Sequence, residues 1–401
     1  MGRLPSPHGT RSSTPPAPPV GVGLTRRVRG AATARVALAL AALAFSLALI
    51  EGAVRVWAPQ PLGAEDPPPL LRGMLTRPGA QRVSTPEYDL TVQVNAQGFV
   101  DHPWGPKRGP RVVVIGDSFV QAAQVPLEDG FGRVLERELR ATVAADVEVY
   151  SIGIPGAGTA AAYDALDAYA FPLDPDVVVH GFLVANDILN NHPLLDAHTD
   201  KPFYRVEGDT RLVRTDPIQA AAPLPGLWAR SEAFRLLART WAERREAQAR
   251  IAAGQGGVPV DLLVYAPRAD PRWEEAWRVT DVLVAAMATR CAERGVVFGT
   301  LLFPDQIQAT RAGRARAEQQ WPTLAGWYPE AAEARALRLV TAHGPALDLL
   351  PALAAADAAG SSGDEGPPLY YAVDGHWTAE GHRVAATVAA PFVAGLLSGR
   401  P

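Results

Sequence analysis

The chain has 401 residues, enough for one large domain with attachments or for two domains. Hydrophobic residues make up 48% and charged residues 20%, which excludes a largely disordered protein. A net charge of −4 with scattered arginines gives no indication of a nucleic acid partner. The single cysteine, Cys291, excludes an internal disulfide, and no cysteine spacing indicates a zinc site.

The N-terminal part is predicted to form a tail and a membrane anchor. Residues 1–34 contain many Pro, Ser, Gly and Arg residues and predict a disordered cytoplasmic tail. Residues 36–50 are apolar apart from Ser46, and the longer stretch 35–57 can cross a bilayer at ~1.5 Å per residue. The arginines that precede this stretch favour a cytoplasmic N-terminus, with the rest of the chain outside the cytoplasm.

Two alternatives to an uncleaved anchor exist, a cleaved signal peptide and a buried core helix. No small-x-small cleavage site directly follows the apolar run, which favours the anchor over the signal peptide. The arginine cluster and the Pro-rich segment before the run disfavour a core helix. Glu51 and Arg55 are one helical turn apart and are expected to pair at the far interface, with Trp57 in the aromatic belt.

The remaining chain has an α/β pattern. Residues 58–87 contain many Pro and Gly residues and predict a linker, and residues 88–94 alternate as in a short strand. Strand and helix patterns then alternate, which is typical of a three-layer α/β/α sandwich around a parallel sheet, flavodoxin-like in outline. Residues 190–257, with a charged helix at about 231–252, predict an insertion in a domain spanning 88–401. The predicted strands are 111–115, 147–151, 176–183, 260–265, 296–303 and 346–349, and the predicted helices are 129–142, 158–170, 272–293 and 378–397.

The sequence RVVVIGDSF, residues 111–119, predicts a buried strand, a tight turn and the start of a helix. Ser118 would then lie at the carboxyl end of a strand, where open α/β sheets carry their sites. An exposed hydroxyl beside a free N–H at a helix N-terminus suits a nucleophile whose product is an oxyanion. The alternative is that Gly-Asp-Ser serves only as a turn.

Two further strand ends carry residues that can donate hydrogen bonds to the same point. In SIGIPGAGT, residues 151–159, glycines such as Gly153 and Gly156 let the backbone approach a ligand closely, and an N–H there can point into the site. A flexible loop is the alternative. After the third strand, Asn186 can direct its side-chain NH2 to the site, whereas the alternative is that Asn186 and Asp187 cap the next helix.

Near the C-terminus, Asp374 and His376 are separated only by a glycine. A carboxylate beside an imidazole can fix its tautomer and make the histidine a general base toward a serine. A capping or packing role is the alternative for His376. His382, in the helix that follows, is expected to lie on the helix surface.

These four blocks, in this order and each at a strand end, resemble the SGNH or GDSL-type hydrolase family. The resemblance covers about residues 88–398. It implies that Ser118 is the nucleophile and donates its backbone N–H to the oxyanion. It implies that the Gly156 N–H and the Asn186 side chain complete the oxyanion hole. His376 is then the base and Asp374 its orienting acid, and no metal or organic cofactor is implied.

Two departures from the family pattern bear on the interpretation. Val184 and Ala185 stand where the family usually has glycine before the asparagine. One residue, rather than two, separates Asp374 from His376, which resembles a branch that includes membrane-associated polysaccharide O-acetyltransferases of the alginate type. The segment Asn95-Ala-Gln-Gly-Phe, together with the anchor, also looks like membrane-tethered bacterial members. Two acidic neighbours of the site residues are expected to support the site, Asp117 and Asp187.

The sequence leaves three functions open. The first is an esterase that removes an acetyl or similar group from an envelope or extracellular glycan or lipid. The second is an O-acyltransferase with a polysaccharide hydroxyl as acceptor, and the third is a non-catalytic carbohydrate-binding protein. The intact Ser, Asn, Asp and His weigh against the third. The expected partners are an ester-bearing small molecule or glycan and, through the N-terminal helix, the inner membrane, with the domain periplasmic or extracellular.

Overall fold

A computed structural model describes residues 23–57, 74–196, 201–215, 257–267, 270–360 and 367–399, together with single residues between 231 and 241. Most of the predicted tail and most of the predicted charged helix lie outside these residues. The described chain divides into two compact units.

The first unit contains helix α1 (Gly23–Trp57) and residues near Ser231. Its segment Ala34–Val56 has a mean hydropathy of 2.1 and is not buried, so it is long and apolar enough to be a membrane span or a signal sequence. The predicted ion pair is present, with Arg55 Nε 2.8 Å from Glu51 Oε1. The other Glu51 oxygen accepts a hydrogen bond from the Ser231 hydroxyl at 2.7 Å.

The second unit opens with an antiparallel hairpin of strands β1 (Gly79–Ser84) and β2 (Asp89–Val94). Strand β2 agrees with the predicted strand at 88–94. Strand β1 corrects the prediction that the linker extends over 58–87, since Gly79–Ser84 pairs along its whole length with β2. Its sequence GAQRVS has little apolar alternation, so it gave no strand signal. Residues 58–73 of the predicted linker lie outside the described residues.

The core of the second unit is a parallel sheet of five strands. The strands after β2 are β3 (Arg111–Gly116), β4 (Glu148–Gly153), β5 (Val177–Leu183), β6 (Phe203–Glu207), β7 (Arg211–Thr215), β8 (Val297–Phe303) and β9 (Ala346–Asp348). The sheet has the order β4-β3-β5-β8-β9, which is that of flavodoxin-like sheets and confirms the predicted three-layer α/β class. Strand β3 is almost wholly buried because helices cover both faces, which is why its β-branched run is continuous rather than alternating.

Helices flank the sheet on both sides. The helices after α1 are α2 (Ser118–Gln121), α3 (Phe131–Thr142), α4 (Thr159–Ala165), α5 (Val184–Leu189), α6 (Pro271–Ala292), α7 (Gln306–Ala309), α8 (Arg311–Gln320), α9 (Pro329–Thr341), α10 (Leu350–Gly360) and α11 (Ala379–Ser398). Val112 and Val114 of β3 pack into the apolar cluster that holds α3 and α11, whereas Val113 and Ile115 pack into the cluster that holds α4, α6 and α9.

One predicted strand is wrong. Val260–Tyr265 follows Pro259 and forms a 3-10 helix outside the sheet, where all its side chains except Asp261 are buried. A short apolar run of this kind does not distinguish a strand from a buried helical turn. The predicted insertion at 190–257 contains the separate hairpin of β6 and β7, and its described residues add no strand to the central sheet.

Candidate active site

Ser118 lies where the chain leaves strand β3 and enters helix α2. Asp117 caps this helix by accepting a hydrogen bond from the Phe119 N–H at 2.9 Å. Ser118 is the first helical residue, so its own N–H has no partner within the helix and points out of the helix end. The structure therefore contains the strand, turn and helix start predicted at this serine.

Three side chains from distant parts of the sequence are linked by hydrogen bonds, those of Ser118, His376 and Asp374. His376 Nε2 lies 2.7 Å from Ser118 Oγ, and His376 Nδ1 lies 2.5 Å from Asp374 Oδ1. With its proton on Nδ1, the imidazole donates to Asp374 and accepts from the Ser118 hydroxyl. This arrangement allows the imidazole to take the serine proton while the carboxylate stabilises the resulting cation.

The single residue between Asp374 and His376 explains how so short a loop reaches this geometry. Gly375 has φ +83°, a conformation that favours glycine. The resulting turn brings Asp374 Oδ1 to within hydrogen-bond distance of both the His376 N–H, at 3.2 Å, and the His376 ring. An isolated β-bridge between Tyr370 and Trp377 closes the loop at its base.

Aromatic packing holds the His376 ring against the serine turn. The Phe119 ring lies 5.0 Å from the His376 ring and 4.9 Å from the edge-on Trp377 ring. Trp377 is fully buried, so it forms a rigid support beneath the loop. The residue that follows the serine therefore packs directly on the His376 ring.

Gly156 is the better placed of the two candidate backbone donors. Its φ is +62°, and its carbonyl accepts a hydrogen bond from Asn190 Nδ2 at 2.6 Å, which fixes the orientation of the peptide that follows it. Among the described residues, no acceptor is within reach of the Gly156 N–H. Gly153 instead ends strand β4, and a Cβ there would lie 2.1 Å from the backbone nitrogen of Gln121. Gly153 therefore permits close packing of α2 on β4.

Asn186 lies at the carboxyl end of strand β5, in the first turn of α5. Its Nδ2 donates to Asp117 Oδ2 at 2.7 Å, so one amide N–H is used to orient the side chain and the second remains for a ligand. Val184 and Ala185, which replace the expected glycines, are buried in α5 and do not displace Asn186 from this edge of the sheet.

The supporting acids Asp117 and Asp187 lie behind these donors. Asp187 accepts hydrogen bonds from Thr159 Oγ1 at 2.7 Å and from the Leu183 N–H at 2.8 Å. Burial, together with the nearby charge of Asp187, raises the pKa of Asp117 to about 6. At neutral pH Asp117 is thus an ionised acceptor for both the α2 backbone and the Asn186 amide.

His382 is not where the sequence predicts it to be. It is 1% exposed rather than on the surface of α11, and neither ring nitrogen has a hydrogen-bond partner among the described residues. Its ring packs edge-on against Trp377 at 5.4 Å. Burial and the neighbouring His376 lower the pKa of His382 to about 3, so it is a neutral packing residue.

Two residues that give no signal in the sequence hold Asp374 in place. Tyr88 donates its hydroxyl to Asp374 Oδ2 at 2.8 Å, and the Glu87 carboxylate accepts the Asp374 N–H at 2.7 Å. Burial raises the pKa of Asp374, but the hydrogen bonds from His376 and Tyr88 outweigh it and hold the pKa below its usual value. No local pattern could reveal this contact, because Tyr88 and Asp374 are 286 positions apart in the chain.

The described residues contain no group of three or more His, Cys, Asp or Glu side chains placed to hold a metal ion. The chemistry that these residues offer is that of a serine nucleophile with a histidine base and convergent N–H donors.

No family model and no curated protein sequence matches this chain. Among solved structures, an acetyl xylan esterase, AlAXEase, is 12% identical with a TM-score of 0.36, covering 72% of this chain and 98% of the other. A lipase/acylhydrolase from Enterococcus faecalis is 14% identical with a TM-score of 0.35, covering 72% and 96%. A two-domain esterase active on acetylated mannans is 10% identical with a TM-score of 0.37, covering 73% and 51%. Scores this low give no indication of function. In the site itself, Ser118, His376 and Asp374 meet at the carboxyl edge of a parallel sheet.

Proposed function

We propose that this protein is a serine-dependent ester hydrolase of the SGNH/GDSL type that works through an acyl-serine. The observation that carries the proposal is the series from Asp374 through His376 to Ser118, with hydrogen bonds of 2.5 and 2.7 Å. Turn chemistry alone would not require a histidine and a carboxylate from the other end of the chain to converge on the Gly-Asp-Ser serine. The buried acid Asp117, tied to both α2 and Asn186, further organises the donors around that serine.

The proposed reaction begins when the Ser118 hydroxyl attacks the ester carbonyl and its proton passes to His376 Nε2. The carbonyl oxygen becomes an oxyanion that accepts hydrogen bonds from the N–H groups of Ser118 and Gly156 and from the Asn186 amide. Collapse of this intermediate breaks the ester bond, and His376 returns the proton to the leaving alcohol. Water, activated by His376 in the same way, then releases the acyl group from Ser118.

The proposed substrate is an O-acyl group, in the first instance acetyl, on an envelope or extracellular glycan or lipid. The resemblance to the family supports this choice, and the proposed location is the inner membrane, anchored through α1. The Asp-x-His spacing, made possible by Gly375, favours one alternative, in which a polysaccharide hydroxyl replaces water as the acceptor. In that case the same acyl-serine forms and only the second half of the reaction differs.

A fluorophosphonate probe tests the nucleophile directly. We expect it to label Ser118 covalently in the wild type and to leave Ser118→Ala unlabelled, because only an activated serine reacts with the phosphorus centre. Ser398→Ala, which removes a hydroxyl at the exposed end of α11, is the matched control and should be labelled as the wild type is. Persistent labelling of Ser118→Ala would remove Ser118 from the mechanism.

A second measurement separates hydrolase from transferase. The protein is incubated with p-nitrophenyl acetate, with and without acceptor oligosaccharides, and both free acetate and acetylated oligosaccharide are quantified. A hydrolase releases acetate at a rate that does not depend on the oligosaccharide. A transferase releases p-nitrophenol faster when the oligosaccharide is present and deposits the acetyl group on it.

A further inference from the structure

The turn that connects β1 to β2 reaches across to the Asp374–His376 loop. The Glu87 carboxylate accepts hydrogen bonds from the backbone N–H groups of Val373, at 3.0 Å, and of Asp374, at 2.7 Å. The next residue, Tyr88, donates its hydroxyl to Asp374 Oδ2 at 2.8 Å. Two adjacent residues of a hairpin outside the central sheet thus bind both the backbone and the side chain of the orienting acid.

Both oxygens of the Asp374 carboxylate are therefore held. Oδ1 faces His376 Nδ1 at 2.5 Å, and Oδ2 faces the Tyr88 hydroxyl. Burial and the hydrogen bond to Asp374 raise the pKa of Tyr88 above its ordinary value, so this hydroxyl stays protonated and can donate to the carboxylate. A carboxylate held at both oxygens cannot rotate about its Cβ–Cγ bond, whereas one held only at Oδ1, by the ring and the backbone N–H of His376, can.

We propose that Tyr88 is a positioning residue for the reaction, which fixes the Asp374 carboxylate so that Oδ1 stays directed at His376. This inference rests on the proposed function of Ser118. Glu87 has the complementary task of holding the loop backbone. The hairpin of β1 and β2 is then part of the active site rather than an appendage of the fold, because it acts through Asp374.

The chain contains a matched control for Tyr88. The Tyr371 ring lies 4.8 Å from the Tyr88 ring, and both residues are partly buried. The Tyr371 hydroxyl donates instead to the backbone carbonyl of Gln124 at 3.1 Å. Replacement of either tyrosine by phenylalanine keeps the aromatic contact and removes one hydroxyl, but only Tyr88→Phe removes the donor to Asp374.

The test compares Tyr88→Phe with Tyr371→Phe in the full chain, with p-nitrophenyl acetate as substrate. Active sites are counted by fluorophosphonate labelling, so that kcat is given per competent site. We expect Tyr88→Phe to lower kcat about tenfold with KM unchanged, the loss typical of one hydrogen bond to a charged group. Tyr371→Phe should change kcat by less than about twofold, whatever it does to the thermal midpoint.

A second readout does not depend on turnover. The low-field NMR resonance of the His376 Nδ1 proton, assigned by its loss in His376→Ala, reports the hydrogen bond to Asp374. We expect this resonance to move or broaden in Tyr88→Phe and to stay unchanged in Tyr371→Phe. An unchanged resonance in Tyr88→Phe, or equal kcat in the two variants, overturns the positioning role. If the wild type neither hydrolyses p-nitrophenyl acetate nor is labelled by the fluorophosphonate, the proposed function is overturned. In that case the His376 Nδ1 proton resonance still shows whether Tyr88 holds Asp374.

Discussion

The Ser118 hydroxyl meets one imidazole, that of His376, although a second histidine lies six positions further along the chain. His376 Nε2 is 2.7 Å from Ser118 Oγ, whereas His382 is enclosed behind Trp377 with both nitrogens unpaired within the described structure. Of these two histidines, only His376 is placed to accept the serine proton. In the proposed reaction, Asp374 acts through the orientation and charge of that ring.

This arrangement predicts an order of kinetic defects. His376→Ala should lower kcat/KM by about 10³- to 10⁴-fold, because the serine then has no base. Asp374→Ala should lower kcat/KM by a factor about tenfold smaller than His376→Ala does, since the imidazole remains but its tautomer and direction are no longer fixed. Both are measured with p-nitrophenyl acetate at neutral pH. An active His376→Ala, or an Asp374→Ala more impaired than His376→Ala, would contradict the assignment.

The sequence predicts which groups meet at the candidate site but not which residues hold them in place. Ser118, Asn186 and the Asp374–His376 pair each follow a recognisable strand end or form a local motif, so their convergence follows from the geometry of a parallel sheet. Tyr88 and Asn190 give no such signal, because each makes its contact through a distant part of the chain. Side-chain contacts of this kind depend on tertiary packing, which local patterns do not encode.

At the scale of elements, continuous β-branched runs identify the central strands because these strands are covered on both faces. An apolar run wrongly predicts a strand at Val260–Tyr265, which is buried as a 3-10 helix. Conversely, β1 has no such run and is still a strand, because it is stabilised by pairing with β2 rather than by an apolar face. A continuous apolar run thus indicates that a segment is buried. It indicates a strand only where the buried segment lies inside the sheet.

Helix α11 carries its buried histidine at a measurable cost in stability. In the folded chain burial holds the pKa of His382 at about 3, whereas the ordinary value is 6.5. Between these values the unfolded chain binds a proton that the folded chain does not, so stability is complete above pH 6.5 and falls as the pH is lowered. From pH 6.5 to pH 5 this single group can remove up to about 2 kcal/mol.

We therefore expect His382→Leu to retain esterase activity and to lose less thermal stability than the wild type when the pH is lowered from 7 to 5. Leucine fills much of the same apolar space against Trp377 and has no proton to bind. The measurement is the thermal midpoint of both proteins at the two pH values, which should diverge by a few degrees at pH 5. An identical pH dependence of the thermal midpoint in the two proteins would show that His382 is not buried as a neutral ring. Loss of activity in His382→Leu would show that His382 takes part in the reaction.

At the scale of the whole molecule, the N-terminal helix bears on where the proposed chemistry takes place. The segment Ala34–Val56 is apolar and largely exposed, which in water would be unfavourable, and a bilayer would remove this cost. Four arginines lie before this segment or at its N-terminal end, Arg26, Arg27, Arg29 and Arg35. Such an excess of positive charge keeps its own flank in the cytoplasm during insertion.

This asymmetry predicts that the sandwich domain lies outside the cytoplasm. Alkaline phosphatase fused after Pro401 should be active, and green fluorescent protein fused at the same position and exported by the same route should be dark. Replacement of the four arginines by glutamine should weaken or invert this pattern, because the charge difference across the segment is then lost. A fluorescent fusion with an inactive phosphatase would place the domain in the cytoplasm instead. Sequencing the N-terminus of the mature protein completes the test. A mature N-terminus beyond Ile50 would show that the segment is removed as a signal peptide. An intact N-terminus would leave the domain tethered to the membrane, beside membrane-proximal substrates.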